Sequence, residues 1–183
     1  PVFDLPKGSF ILCAAGRFVG LKGFDSLIRA TAMTEGTALC LVGDGEERPA
    51  LEALVQELGL SGRVQMTGWV PDPIRWIAAA DLACVTSTHE TLGNVVLEAW
   101  QCQTPVISTP TPGPSWLIEN ARTGILLDDF DPETLAEGIT RAQTDPALCA
   151  RMVARGASKL RAEFSQQAIV AAYFKAIERY RTH

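Results

Sequence analysis

Histidine is nearly missing: His89 and His183 are the only two in 183 residues. A structural zinc site needs about four converging Cys or His ligands. The five cysteines, Cys13, Cys40, Cys84, Cys102 and Cys149, are scattered and never spaced Cys-x-x-Cys, so no such site is encoded. Their odd number, and the position of three of them in short apolar runs, point to reduced core thiols rather than disulfides. Basic residues are outnumbered, 16 Lys and Arg against 21 Asp and Glu for a net charge of −5, which argues against general nucleic-acid binding. No apolar run approaches the ~20 residues that span a bilayer, and Pro1–Phe10 has neither the basic start nor the apolar stretch of a signal peptide. The dinucleotide fingerprint is lacking, because Gly43-Asp44-Gly45-Glu46-Glu47-Arg48 has no third glycine, and NAD or FAD binding loses its support. There is no Walker A sequence, and no Ser-His-Asp or Cys-His arrangement is legible.

What is present reads as one globular unit. At 47% hydrophobic and 20% charged residues, the composition is that of a folded domain, and a chain of this size buries roughly 70% of its unfolded surface without a staple. There is no initiating Met, and Pro1-Val2-Phe3-Asp4-Leu5-Pro6 has the character of a linker. The expected organisation is a linker over 1–8, a domain over 9–163 and a C-terminal helix over 164–183, all within a longer protein.

Short apolar runs alternate with amphipathic stretches. Strands are expected at Phe10–Ala15, Thr37–Val42, Arg63–Thr67, Leu82–Thr86, Pro105–Ser108 and Gly124–Leu127. Between them, helices are expected over Leu21–Thr34, Glu46–Leu58, a segment capped by Asp72 with Pro73 first, Gly93–Cys102, Pro114–Asn120 and Asp131–Gln143, and the remainder over Pro146–Tyr180 is expected to be helical. This alternation predicts an α/β, Rossmann-like, doubly wound six-stranded parallel sheet in the order 3-2-1-4-5-6 with helices on both faces. Such sheets bind ligands outside the carboxyl ends of the strands where the order reverses. Here the reversal brings the loop after strand 1, Gly16–Gly23, to the loop after strand 4, Ser87–Asn94.

These two loops hold unusual residues. Arg17 and Lys22 place two cations at one rim, a fork of donors and a mobile point charge that together suit a diphosphate; a solvated loop with two surface cations is the alternative. Gly93-Asn94-Val95 opens a helix whose free N–H groups and dipole favour an anion. Glu98 lies a turn further in and leans back toward that N-terminus, where a carboxylate suits sugar hydroxyls or merely complements the dipole. Glu90 precedes the helix, eight residues before Glu98. Two carboxylates flanking an anion site point to a ligand that is both phosphate and sugar. Asp129-Phe130-Asp131 has the Asp-x-Asp pattern of some metal-dependent glycosyltransferases, but Asp131-Pro132-Glu133 reads as a helix cap, so no metal or other cofactor is expected.

The ordered series Gly16-Arg17 with Lys22-Gly23, Leu41–Gly45, Gly68-Trp69-Val70, Ala80-Asp81-Leu82, Glu90–Ala99, Thr104–Ile107, Thr123-Gly124 and Leu135-Ala136 resembles the C-terminal, nucleotide-sugar-binding domain of the retaining GT-B glycosyltransferases of the "glycosyl transferases group 1" type. The resemblance covers residues of about 9–145. It implies that Arg17 and Lys22 hold the donor diphosphate, that the amides around Leu92, Gly93 and Asn94 take phosphates or sugar hydroxyls, and that Glu98 binds the ribose. Glu90 then contacts the donor sugar near its reacting centre as the catalytic candidate, and Trp69 and Val70 lie along the base. It further implies a UDP-, GDP- or ADP-sugar donor, front-face departure of the nucleotide with retention, and an N-terminal acceptor domain outside this chain, without which the fragment is inactive. Two departures stand out, Gln103 in Cys102-Gln103-Thr104-Pro105 and the segment Pro112–Trp116. The wording Gly113-Pro114-Ser115-Trp116 is similar to enzymes of bacterial lipopolysaccharide or surface polysaccharide synthesis, which implies a cytoplasmic protein at the inner face of the membrane, membrane-peripheral at most. A sugar-nucleotide epimerase of the same architecture and a non-catalytic nucleotide-sugar-binding module are the alternatives.

Overall fold

The computed structural model describes residues 3–181, so the outermost two residues of the expected linker and of the expected C-terminal helix lie outside the described residues. Strands β1 (Phe10–Ala15), β2 (Thr37–Val42), β3 (Val64–Met66), β4 (Leu82–Val85), β5 (Val106–Ser108) and β6 (Ile125–Leu126) form one sheet in the order β3-β2-β1-β4-β5-β6. All pairings are parallel. The apolar runs explain it: all six residues of β2 and all four of β4 are buried, as strands covered on both faces must be. The order reverses at β1, which pairs with both β2 and β4.

Helices α1 (Phe24–Met33), α2 (Arg48–Glu57) and α6 (Pro132–Thr144) supply a core on one face, with Leu27, Leu51 and Ile139 among its buried members. Helices α3 (Ile74–Ala78), α4 (Asn94–Cys102) and α5 (Pro112–Leu117) supply the other, around Ile77, Trp100 and Leu117. Helix α7 (Pro146–Glu163) ties the faces together, since Leu148 and Met152 pack with the first cluster and Leu160 with the second. Helix α8 (Gln166–Arg181) follows. The segment before β1 lies against the second face, Phe3 meeting Trp76 edge-on with ring centroids 5.5 Å apart.

Three local expectations are corrected. The helix expected over Leu21–Thr34 is broken by Gly23, which is left-handed at φ 61. A 3₁₀ turn over Gly20–Lys22 precedes the break, and Leu21 is exposed rather than on the apolar face. Gly23 is required there because a Cβ would lie 2.3 Å from the Thr86 carbonyl oxygen. Asp72 does not cap α3; Pro73 takes the cap position and the Asp72 carboxylate pairs with Arg75 at 2.8 Å. The helical C-terminal remainder consists of α7 and α8, and between them the Ser165 hydroxyl accepts a bond from the Ala168 N–H and restarts the ladder after Phe164. Asp131 holds the α6 cap position, yet its side chain makes no cap bond. Asp129 does that work, accepting from the Asp131 N–H and the Thr134 hydroxyl, each at 3.0 Å. Gln103, where the resembled family often has glycine, is left-handed at φ 58, a conformation glycine adopts without strain.

Gly156 in α7 faces the Trp100 ring. Trp100 is fully enclosed and anchored by its indole N–H to the Thr123 carbonyl at 2.8 Å. Alanine at a helix interior is ordinarily favoured over glycine by about 1 kcal/mol. A Cβ at Gly156, however, would sit 2.4 Å from Trp100 Cδ1, and overpacking of this kind costs about 1–3 kcal/mol. The expected outcome of Gly156→Ala is a lower urea midpoint; a raised midpoint would show that the ring can yield.

Candidate functional site

The loop after β1 is tied down at both ends. The Gly16 N–H donates to Val42 O and the Phe18 N–H to Asp44 O, at 3.0 and 2.9 Å, and the Phe18 ring is fully buried. Arg17 between them is exposed; its carbonyl accepts from the Val19 N–H at 2.9 Å, while among the described residues its guanidinium makes no hydrogen bond or ion pair. Lys22 is fixed from the other loop: the Thr86 hydroxyl donates to the Lys22 carbonyl at 2.8 Å, and the Thr88 N–H donates to the Leu21 carbonyl at 2.9 Å. The two loops expected to meet are thus stitched through their backbones.

The Lys22 ammonium donates to Glu90 Oε2 at 2.9 Å. The Gly93 N–H, at the start of α4, approaches Glu90 Oε1 at 3.4 Å, and the Glu90 carbonyl accepts from the Gly113 N–H at 3.0 Å. Burial acts to raise the Glu90 carboxyl, but Lys22, the Gly93 amide and the Ser87 hydroxyl outweigh it and hold the group below its ordinary range. Glu98, one turn into α4, is the opposite case. It accepts no hydrogen bond and joins no ion pair among the described residues, and burial pushes its carboxyl up. A half-buried carboxylate without a partner is a site signal.

Arg17, Lys22, Trp69, Val70 and Glu98 line one cleft of about 590 Å³ at the carboxyl ends of β1 and β2. All five were expected site residues. The Trp69 side chain stands 78% exposed at its edge, a flat apolar surface fit for a ring. Glu90 adjoins the cleft through Lys22, whereas Leu92, Gly93 and Asn94 lie outside its lining. Leu92 and Asn94 are exposed and Gly93 is buried beneath Pro114. His89 is exposed and takes no part.

Sequence reasoning missed Gly43, Asp44, Pro73 and Val95 in the lining. Gly43 and Asp44 end β2, the neighbour of β1, so the sheet order could have found them. Val95 precedes Glu98 by one helical turn and shares its face. The Asp44 carboxylate is engaged by Arg48 at 3.4 Å. Among the described residues no group of three or more His, Cys, Asp or Glu side chains converges on a metal position, and no helix is long and apolar enough to cross a membrane.

A family model for glycosyl transferases group 1 matches residues 1–159. The chain is 42% identical over 172 residues to the lipopolysaccharide core biosynthesis glycosyltransferase LpsE of Rhizobium meliloti (strain 1021), covering 94% of this chain and 51% of that protein. It spans about half the length of the curated relatives it matches. Among solved structures, Anabaena Alr3699/HepE in complex with UDP superposes with a TM-score of 0.86 at 27% identity, over 96% of this chain and 50% of that one. The same protein in complex with UDP-glucose gives 0.84 at 27%, over 96% and 49%.

The raised Glu98 carboxyl has a consequence for stability. A carboxyl raised on folding leaves stability intact below its unfolded pKa and removes it as pH rises through the folded value. The Glu98→Gln variant should therefore melt higher than the parent at pH 7, and the advantage should vanish near pH 4. Equal melting at pH 7 would show that the carboxylate is solvated after all.

Proposed function

The chain belongs to the glycosyl transferases group 1 family, and we propose that it is the donor-binding half of a retaining enzyme that moves a sugar from a nucleoside-diphosphate sugar to an acceptor in bacterial lipopolysaccharide or surface polysaccharide synthesis. The observation that carries this reading is one cleft lined by two cations, Arg17 and Lys22, and by Glu98, whose carboxylate has no partner among the described residues. Cations suit a diphosphate. An acceptor-only carboxylate suits the paired hydroxyls of a ribose, and the exposed face of Trp69, with Val70, suits a base.

The residues then act together. Arg17 and Lys22 hold the diphosphate and offset the charge that grows on it as the glycosidic bond breaks, which is electrostatic stabilisation of a leaving group. The amides around Leu92, Gly93 and Asn94 at the head of α4 orient phosphates or sugar hydroxyls. Glu90 contacts the donor sugar beside the reacting carbon, and departure of the nucleotide from the face the acceptor enters retains the anomeric configuration. No metal is needed, because the cations and the helix N-terminus already meet the phosphate charge. The donor is a UDP-, GDP- or ADP-sugar, and the UDP-bound neighbour favours uracil as its base.

Helix α8 fits a larger enzyme. Ile169, Val170, Tyr173, Phe174 and Ile177 recur one helical turn apart and are all at least 41% exposed. This apolar strip is proposed to pack toward an acceptor domain in the longer protein, which would work at the cytoplasmic face of the inner membrane.

Two measurements test the reading. Lys22→Ala removes a charge-assisted hydrogen bond of about 1.5–3 kcal/mol, and should weaken UDP and inorganic pyrophosphate alike by roughly 10- to 150-fold. Glu98→Ala should weaken UDP and spare pyrophosphate; equal losses for both would remove the ribose assignment. Separately, UDP affinity should be unchanged by a chelator, and restoration of lost binding by magnesium or manganese would overturn metal-free donor binding.

A further inference from the structure

The Glu90 carboxylate holds donors that a phosphate could also use. Its Oε2 accepts from the Lys22 ammonium at 2.9 Å, and its Oε1 lies 3.4 Å from the Gly93 N–H at the head of α4. Those are one of the two cations and one of the amides to which the diphosphate is assigned. A carboxylate and a phosphate oxygen pair compete for the same donors, and each satisfies them with charge-assisted bonds. Both backbones are anchored, Lys22 through the Thr86 hydroxyl and Glu90 through the Gly113 N–H. Exchange therefore needs only side-chain rotation, because Glu has three rotatable bonds while its Cα stays in place.

We propose that Glu90 is an internal stand-in for the donor phosphate: it holds Lys22 and the α4 terminus in binding geometry, and an incoming diphosphate displaces its carboxylate toward the sugar. This rests on the donor-binding reading above and adds a selection step to it. The ion pair is two-sided, with side-chain exposures of 27% and 21%, so water screens it only in part. An anion binds only if it out-competes a carboxylate already in place. A diphosphate, which also reaches Arg17, can do so, whereas a small monoanion gains little by the exchange. Displacement also leaves a carboxylate beside the newly bound phosphates, and like charges repel, so the freed group turns away from them.

The test uses inorganic pyrophosphate and UDP as probes, with calorimetry on the 183-residue chain, whose core on both sheet faces is its own. Glu90→Gln keeps the shape and removes the competing charge. Release of a pair worth about 1 kcal/mol should tighten both probes roughly three- to tenfold. In a Lys22→Met background the same substitution should change pyrophosphate affinity by less than about twofold, since the contested cation is gone. A merely structural Glu90 predicts weaker or unchanged binding in the first comparison, and that result would overturn the proposal while leaving the nucleotide reading intact. Failure of the parent chain to bind either probe would remove the donor-binding reading itself, and this inference with it. One measurement needs no variant. Carbon NMR of the Glu90 carboxyl in the parent chain should show its titration midpoint rising once pyrophosphate is saturating, because its cation has been taken. A midpoint that stays put while pyrophosphate binds would equally overturn the displacement.

Discussion

The contact on which the site depends is the seam between the β1 and β4 loops. At its centre Gly23 turns left-handed against the Thr86 carbonyl, and the Thr86 hydroxyl donates to the Lys22 carbonyl. Backbone so close to backbone leaves no room for a side chain, and the chain therefore leaves the 3₁₀ turn and starts α1 at Phe24. The same seam fixes the base of Lys22 and lets its ammonium reach Glu90. A shift of the two loops by an ångström would separate a bond of 2.9 Å, since ionic hydrogen bonds weaken steeply with distance.

Around this seam the charges are treated unequally. Lys22 and Glu90 satisfy each other, and Asp44 is held by Arg48. Arg17 and Glu98 are left without partners among the described residues. For Arg17, which is exposed, the cost is small. For Glu98 it is a desolvation cost that folding gains nothing by bearing, and proteins keep such groups where a ligand satisfies them. The rest of the domain is correspondingly conservative: buried parallel strands, a helical layer on each face, and α7 binding the two layers through Leu148, Met152 and Leu160.

Much of this was legible because the signals are local. A run such as Thr37–Val42 is short, apolar and bounded by turn residues, and six of them alternating with amphipathic stretches leave few topologies that obey right-handed crossover. Strand order then placed Arg17, Lys22 and Glu98 at one edge, and Trp69 and Val70 followed from the resemblance. The errors fell where two local signals competed. Asp72 and Asp131 both have the residue type and position of a cap, yet each lost to a neighbour: Arg75 drew off the Asp72 carboxylate, and Asp129 reached the α6 terminus from outside the helix.

What the sequence determined by itself is therefore the sheet, its order and the family, since each follows from periodicity, turn chemistry or an ordered series of residues along the chain; of the cleft it supplied Arg17, Lys22, Trp69, Val70 and Glu98 but not Gly43, Asp44, Pro73 or Val95. What only the tertiary structure decided is the state of those groups. Lys22 pairs with a carboxylate 68 positions away, its carbonyl is held by a hydroxyl 64 positions away, and the Glu98 carboxylate is left unpaired among the described residues. Ionic and hydrogen-bonding partnerships fall off within a few ångströms, and distances on that scale between remote segments exist only after the strands have paired and the loops have closed on each other.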